Sequence, residues 1–213
     1  MARKNSETGP ARRGRPRAYE TQVALKQATE TFWKTGYAGT SLDSIAAATG
    51  MNPPSLYAAF GNKHEIYLEA LARYWEISLA ATREALAEDR PLAESLMLAY
   101  EAALSIYFSG KGGARGCFVI GTAVTEAGED AAIRSSVATG LRMIDADFEA
   151  RFRAAIERGE LKRNADPAAL AILASATMHT IAIRARAGAR RAELKEVARK
   201  AVNAICGCQV EAC

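Results

Sequence analysis

Apolar residues recur at steps of three and four along most of the chain, and no stretch alternates apolar and polar positions as a half-buried β-strand does. The longest run goes from Ile133 to Ala155 and stops before Gly159. Residues 62–86 and 91–109 form two further amphipathic segments. All three are long enough for helices, and glycine or proline lies at their ends. The pattern predicts an all-α protein.

The segment that begins at Thr40 predicts a short helix followed by a tight turn. Thr40 and Asp43 have the spacing of a capping box ahead of an apolar run. Gly50 tolerates a positive φ and is expected to stop the helix near Thr49. The face that must be buried consists of Leu42, Ile45, Ala46 and Thr49.

A second short helix follows the turn. Asn52 can cap this helix, and Pro53 is tolerated in its first turn. Leu56 and Phe60 form its buried side, and Asn62 with Glu65 then caps a third helix. Two short helices joined by a glycine turn are the arrangement in which the second helix enters the major groove of DNA. The alternative interpretation is an ordinary packed helical hairpin.

Residues 1–17 form a basic arm that favours the DNA interpretation. The arm holds six arginines and lysines against the single Glu7, a net charge of +5, whereas the whole chain carries +4. It has no apolar periodicity and is expected to be disordered in isolation. Arg13, Arg15 and Arg17 lie in a stretch that resembles the Arg-Gly-Arg-Pro core of AT-hook peptides, which bind the minor groove of A·T-rich DNA. A solvated basic tail is the alternative.

The order of these signals from Ala24 to Leu71 resembles the DNA-binding domain of the tetracycline-repressor (TetR/AcrR) family of bacterial regulators. The resemblance implies an all-α fold with an N-terminal three-helix DNA-binding domain and a larger helical domain for ligand binding and dimerisation. It also implies that Thr40, Tyr57 and Lys63 hold DNA phosphates. A helix N-terminus, a phenol and an ammonium group all donate hydrogen bonds to phosphate oxygens.

The remaining candidate DNA contacts flank these residues. Ser41 follows Thr40 in the matching motif, and Asn52 and Ser55 can form hydrogen bonds with base edges, whereas Pro53 offers only contact with thymine methyls. The sequence departs from the family at Ala59, where an aromatic residue or histidine often stands. His64 is the expected substitute, and a solvated first-turn histidine is the alternative.

The domain boundaries follow from this layout. We expect the basic arm over residues 1–17, the DNA-binding domain over 18–62, the effector-binding and dimerisation domain over 63–205 and a tail over 206–213. The last two predicted helices resemble the dimerisation pair of the family, which implies a homodimer on a palindromic operator. The expected interface residues are Ala171, Ser175, Met178, Ala182, Val197, Ala201 and Ile205. The alternative is that the alanines face the core of their own chain.

The second domain is expected to enclose a small-molecule effector, because regulators of this family usually do. We select Tyr107, Phe118 and His179 as pocket candidates, since apolar pockets carry a few polar groups. Packing in the core is the alternative role for each. The residues do not indicate which molecule is bound.

The four cysteines suggest two further possibilities. Cys117 lies at a predicted helix start, where the helix dipole would lower its thiol pKa and permit redox sensing, although isolated cysteines are usually small buried residues. Cys206, Cys208 and Cys213 could bind a thiophilic metal or oxidise, but they lack the paired spacing of zinc sites, and a frayed tail is the alternative; neither a metal nor a cofactor is expected. The chain shows no signal peptide, which predicts a cytoplasmic location without a membrane partner.

The sequence therefore predicts a DNA-binding transcriptional regulator, specifically a repressor released from its operator by a small molecule. A nucleoid-type architectural protein that binds A·T-rich DNA with little specificity is the alternative. An enzyme is not expected, since the chain contains no phosphate-binding glycine loop and only two histidines.

Overall fold

The computed structural model describes residues 17–87, 89–110 and 113–207. These residues form nine α-helices and no β-strand, which confirms the all-α prediction. The helices are α1 Arg17–Thr35, α2 Leu42–Thr49, α3 Pro53–Phe60, α4 Lys63–Ala85, α5 Leu92–Tyr107, α6 Phe118–Thr122, α7 Ala131–Glu157, α8 Pro167–Arg186 and α9 Arg191–Cys206, with a 3₁₀ turn at Glu126–Gly128.

Side-chain caps fix where the long helices begin. The Oδ1 atom of Asn62 accepts hydrogen bonds from the backbone nitrogens of His64 and Glu65 at 2.9 and 3.1 Å, and Glu65 Oε2 accepts from the Asn62 nitrogen at 2.8 Å. This is the capping box expected at the start of α4. Asp130 and Asp166 cap α7 and α8 in the same way.

Three boundaries differ from the sequence prediction. Ser41, not Thr40, is the N-cap of α2, and Ser44, not Asp43, completes its capping box. Arg17 is the first residue of α1, so the predicted arm is one residue too long. Cys206 ends α9 and belongs to the helix, although it was assigned to the tail.

One continuous core runs through both domains. In the N-terminal domain, α1, α2 and α3 bury Phe32, Ile45 and Leu56 completely. α4 then packs against α1 on one side and against α5 and α7 in the larger domain. The side chains of Tyr67 and Phe118 are also fully buried, and their rings lie 5.8 Å apart at the junction. The two domains therefore share an aromatic core at α1, α4 and α6.

Helices α4 and α7 approach closely at Trp75 and Gly140. A Cβ atom added to Gly140 would lie 2.2 Å from Cε2 of Trp75. That distance is far inside van der Waals contact, so only glycine fits without a shift of the indole ring. The close packing fixes α4, the helix that leads out of the DNA-binding region, against the long helix of the second domain.

Helix α8 is apolar on two opposite faces. Its inner face is buried in the chain and includes Ala171, Ser175, Met178 and Ala182. These four residues were predicted to contact a partner, and that prediction is wrong because they pack inside their own chain. Val197, Ala201 and Ile205 on α9 are partly buried.

The outer face of α8 carries Ile172, Leu173 and Ile183, which are 60%, 57% and 56% exposed. In length and composition α8 would suffice to cross a membrane, but its inner face belongs to the protein core. Apolar and small residues thus lie on both sides of the helix, and Thr180 and Arg184 are exposed on the outer side.

Candidate nucleic-acid interface

Helix α3 presents its first turn to solvent. Asn52, Pro53 and Ser55 are exposed, and Tyr57 is 52% exposed, while Leu56 on the opposite side is fully buried. Asn52 Oδ1 accepts a hydrogen bond from the Ser55 nitrogen at 2.9 Å, so the side chain caps the helix. Its amide nitrogen stays available as a donor. The predicted exposed and buried sides of this helix are therefore both found.

The N-terminus of α2 is also exposed. Ser41 Oγ accepts from the Ser44 nitrogen at 3.1 Å, and Ser44 Oγ accepts from the Ser41 nitrogen at 3.1 Å. The Ser41 hydroxyl keeps its own proton for an outside acceptor. A helix N-terminus attracts anions through its free amide groups and its dipole. Ser41 is thus placed at an anion-attracting helix end.

Thr40 has a different role from the one expected. Its side chain is only 2% exposed, and its hydroxyl donates to the Gly36 carbonyl at 2.7 Å and lies 2.7 Å from Thr35 Oγ1. The hydroxyl is therefore used inside the turn between α1 and α2. The expectation that it contacts phosphate does not agree with this geometry; Ser41 is the neighbour whose hydroxyl faces solvent.

Lys63 is held at the same turn. Its ammonium group donates to the carbonyls of Tyr37 and Thr40 at 3.1 and 2.9 Å and lies 4.3 Å from the centre of the Tyr37 ring. Three N–H donors are present on an ammonium group, and two are occupied. The third is left for a phosphate oxygen. Lys63 thus fixes the turn next to α2 and brings a positive charge to this face.

His64 contacts the cap of α7, and its side chain is 34% exposed. Its Nε2 atom lies 2.7 Å from Oδ2 of Asp130, the residue that caps α7. The pKa of Asp130 is lowered, first by the hydrogen bond from the Ile133 backbone and also by the neighbouring His64. His64 is thus partly solvated and also contacts Asp130, and its role at the DNA stays a prediction. The sequence marks Asp130 only as a helix cap, and nothing in the local pattern links it to His64.

Positive charge is scarce on the two short helices themselves. Between Ser41 and Asn62 the sequence contains one charged residue, Asp43. The nearest positive charge along the sequence is therefore Lys63, and the basic arm lies further towards the N-terminus. Of the arm candidates, Arg13 and Arg15 lie outside the described residues, and Arg17 opens α1.

Two family models cover most of the chain. Residues 24–70 match the bacterial regulatory proteins of the tetR family, and residues 94–202 match the tetracyclin repressor-like C-terminal domain. The chain belongs to the TetR family. This membership confirms the resemblance found in the sequence and assigns the chain to the DNA-binding transcriptional regulators, with α2 and α3 as the helix-turn-helix.

Individual relatives agree with the TetR assignment. The transcriptional repressor ComR of Escherichia coli (strain K12) is 29% identical over 198 residues, 93% of this chain and 94% of ComR. The transcriptional activator FasR of Mycolicibacterium smegmatis is 34% identical over 106 residues, 47% of this chain and 48% of FasR. A solved structure of the TetR-family regulator CifR, a cysteine mutant complexed with 26-bp operator DNA, has a TM-score of 0.79 at 30% identity and covers 89% of this chain and 99% of that chain.

The second domain contains a very small cavity. The cavity has a volume of about 10 Å³, and Tyr107 and His179 line it together with Cys117. Phe118 does not line it and is fully buried in the aromatic core near Trp33. Burial lowers the pKa of His179 and raises the pKa of Tyr107. Two of the three pocket candidates therefore share one cavity, which is closed in this structure.

Cys117 is buried at the edge of that cavity. It is the N-cap of the five-residue helix α6, and its Sγ atom lies 3.1 Å from the Tyr74 hydroxyl, which donates to it. Burial raises the pKa of the Cys117 thiol, although hydrogen bonds from Tyr74 and the α6 backbone act in the opposite direction. The expectation of a lowered pKa is wrong, because the loss of hydration on burial raises the pKa of Cys117 more than the short helix lowers it.

The other cysteines do not form a metal site within the described part of the chain. Cys208 and Cys213 lie outside it. Among residues 17–87, 89–110 and 113–207, no group of three or more His, Cys, Asp or Glu side chains is placed to hold a metal ion.

Proposed function

We propose that the chain represses transcription by binding a specific operator as a homodimer. The carrying observation is the exposed face formed by α3 and the N-terminus of α2, on which Asn52, Ser55, Tyr57 and Ser41 all face solvent. Repression is proposed because ComR, which matches over nearly its whole length, is named a repressor, whereas FasR matches over about half. The chain acts in the cytoplasm, where its operator lies.

The contacts divide into two groups on this face. Ser41, Tyr57 and the free N–H of Lys63 hold phosphates and set the position of α3 in the major groove. Asn52 reads a base edge through its amide nitrogen, and Ser55 does so through its hydroxyl. The capping hydrogen bond uses neither group, because it runs from the Ser55 backbone nitrogen to Asn52 Oδ1. Arg13 and Arg15 add minor-groove contacts next to the operator half-site. Few groups read bases, so the arm contributes to sequence preference.

The dimer forms through the outer face of α8. Ile172, Leu173 and Ile183 are more than half exposed on the same side of this one helix, and clustered exposed apolar residues mark protein interfaces. The proposed partner at the outer face of α8 is a second copy of this chain, because a TetR-family member needs two DNA-binding domains to bind a palindromic operator. This assignment replaces the inner-face residues selected from the sequence.

A small-molecule effector releases the operator in this proposal. It acts by changing the angle of α4, because α4 carries Lys63 and His64 at one end and Trp75 against Gly140 further along. A change in the separation of the two heads would prevent both from entering successive grooves. The contacts of α4 with α7, together with the hydrogen bonds from Lys63 to the α1–α2 turn, thus connect the effector domain to the DNA-binding domain.

A competition experiment tests this function. A labelled operator from the chain's own promoter region is bound at moderate salt, and random duplex DNA is added in excess. A specific repressor keeps its operator under these conditions, because specific affinity exceeds non-specific affinity by about 10³-fold or more. Release at equal concentrations of random duplex would instead support the architectural alternative. The variant Asn52→Ala/Ser55→Ala is the matched control, which should lose specificity and keep non-specific binding.

A further inference from the structure

A surface groove of about 420 Å³ lies where the DNA-binding domain meets the second domain. Trp33 of α1 lines it on one side, and Tyr74, Ile77 and Ile106 of α4 and α5 line it on the other. Small-molecule sites usually have volumes of about 300–1,000 Å³. The groove has room for such a molecule, whereas the interior cavity of about 10 Å³ has room for roughly one water.

The lining of the groove combines an apolar surface with an excess of positive charge. Its charged residues are Lys26, Arg73 and Arg115 against the single carboxylate of Glu30. Arg115 is paired with Glu30, and Arg73 donates to the amide oxygen of Gln22. The charges of Lys26 and Arg73 are thus not matched by carboxylates of the lining. A ligand with both an apolar part and a negative charge fits this combination.

Two residues that line the groove carry buried donors for which the described part of the chain offers no acceptor. The Arg115 guanidinium carbon lies 3.6 Å from the centre of the Trp33 ring. In this pair, Trp33 Nε1 and Arg115 Nε are both buried and have no hydrogen-bond partner among the described residues, and Trp33 is only 6% exposed. Buried N–H groups without partners are unfavourable and rare in folded proteins. The pair indicates that an acceptor belongs here.

We propose that this groove is a binding site for an amphipathic carboxylate, a molecule with one acid group and an aromatic or short alkyl body. The body packs against Trp33, Tyr74 and Ile77. The carboxylate accepts from the Trp33 and Arg115 donors, and Lys26 and Arg73 at the rim attract it. Of these residues, Tyr74 also lines the interior cavity, whereas His179 and Tyr107 line that cavity and take no part in the groove site.

A ligand in this groove would contact both domains at once. Trp33 belongs to α1 of the DNA-binding domain, and its ring centre lies 5.4 Å from that of Tyr74 and 5.3 Å from that of Phe118. A bound molecule would therefore fix the position of α1 against α4 and α5. This regulatory consequence rests on the operator binding proposed above, whereas ligand binding itself does not.

Titration calorimetry on the full chain without DNA tests the site. The probe is 4-phenylbutyrate, and its neutral amide is the matched control ligand. We expect one acid per chain with a Kd below about 1 mM, and binding of the amide at least about tenfold weaker. The variant Lys26→Ala/Arg73→Ala should weaken binding of the acid about fivefold or more and leave the amide unchanged. Arg142→Ala/Lys200→Ala removes two exposed cations elsewhere and should change neither.

Several results would overturn the proposal. One is the absence of saturable binding of the acid up to about 10 mM. Another is equal affinity of the chain for the acid and for the amide. A third is an equal loss of acid affinity in Lys26→Ala/Arg73→Ala and in Arg142→Ala/Lys200→Ala. Ile77→Trp should block the groove and remove binding of the acid. His179→Phe, in the interior cavity, should leave binding of the acid intact. If His179→Phe removed binding and Ile77→Trp did not, the ligand would lie in the interior cavity. Circular dichroism confirms that each variant is folded. Acid binding without operator binding would retain the groove site and reject the proposed repressor.

Discussion

The Nε2 atom of His64 lies 2.7 Å from Oδ2 of Asp130, and this contact joins the first turn of α4 to the first turn of α7. His64 follows Lys63, which is bound to the α1–α2 turn through the carbonyls of Tyr37 and Thr40. The start of α4 is therefore held from two sides, by the DNA-binding domain and by the second domain. In the proposed mechanism, a change at either side reaches the other through this helix turn.

The stability contributed by Asp130 should depend on pH. Its folded pKa is lowered, chiefly by the Ile133 backbone hydrogen bond, so its stabilisation is present above the ordinary carboxyl pKa and is lost as pH falls through the lowered folded value. Asp130→Asn keeps the cap but not the charge. We expect wild type to be more stable than this variant at about pH 5–6 and the difference to shrink as the pH falls below the ordinary carboxyl pKa.

Thermal melts of both proteins across this pH range, at constant ionic strength, measure the difference. Asp43→Asn is the matched control on an exposed surface, and its difference from wild type should stay smaller. A gap between wild type and Asp130→Asn that is the same at pH 3 and pH 6 would contradict the prediction.

Gly140→Ala should destabilise the protein because the new Cβ would lie 2.2 Å from Cε2 of Trp75. Overpacking of this kind costs about 1–3 kcal/mol. Chemical denaturation measures the loss. Gly128→Ala is the matched control, since a Cβ there meets nothing within 4 Å, and its effect should stay within about 0.5 kcal/mol. Equal stabilities of the two variants would show that the indole moves aside freely.

Tyr57→Phe should weaken DNA binding without changing stability. The phenol is 52% exposed and makes no packing contact that the substitution removes, so only the proposed phosphate hydrogen bond is lost. We expect about a five- to tenfold loss of affinity, equal for operator and random duplex, because a phosphate contact carries no sequence information. Fluorescence anisotropy measures both affinities, and Tyr107→Phe, deep in the second domain, is the control. Unchanged affinity would remove Tyr57 from the interface.

Ile172→Glu/Ile183→Glu should convert the dimer into a folded monomer. Both side chains are more than half exposed on the outer face of α8, so the charges cost little in the isolated chain but disrupt an apolar interface. Sedimentation equilibrium at micromolar concentration measures the change. Val124→Glu, at a residue 51% exposed outside α8, should remain a dimer. A monomeric wild type, or a dimeric double variant, would contradict the proposed interface.

The sequence predicted most helix boundaries because the residues that set them are local. Asn62 with Glu65 and Asp166 with Pro167 are caps that can be recognised without tertiary structure. The exposed and buried sides of α3 were also predictable, since Leu56 and Phe60 are spaced for one face.

Other features depended on contacts that a local pattern does not contain. Thr40 and Ser41 are adjacent hydroxyl residues, and only packing against Thr35 and Gly36 buries the first and exposes the second. Helix α8 is apolar on both faces, so its periodicity could not distinguish the inner face from the outer one. For Cys117, the helix start was identified correctly, but burial controls the pKa.

The most direct test of the central claim is selection of bound sequences from a random duplex pool, followed by footprinting of the most enriched sequence. We predict an enriched palindrome whose half-sites lie about one helical turn or a multiple of it apart. Two protected major-groove segments should appear, and deletion of residues 1–16 should remove preference for A·T-rich flanks. Enrichment of A·T content alone, without a palindrome, would contradict the account of a sequence-specific dimeric regulator.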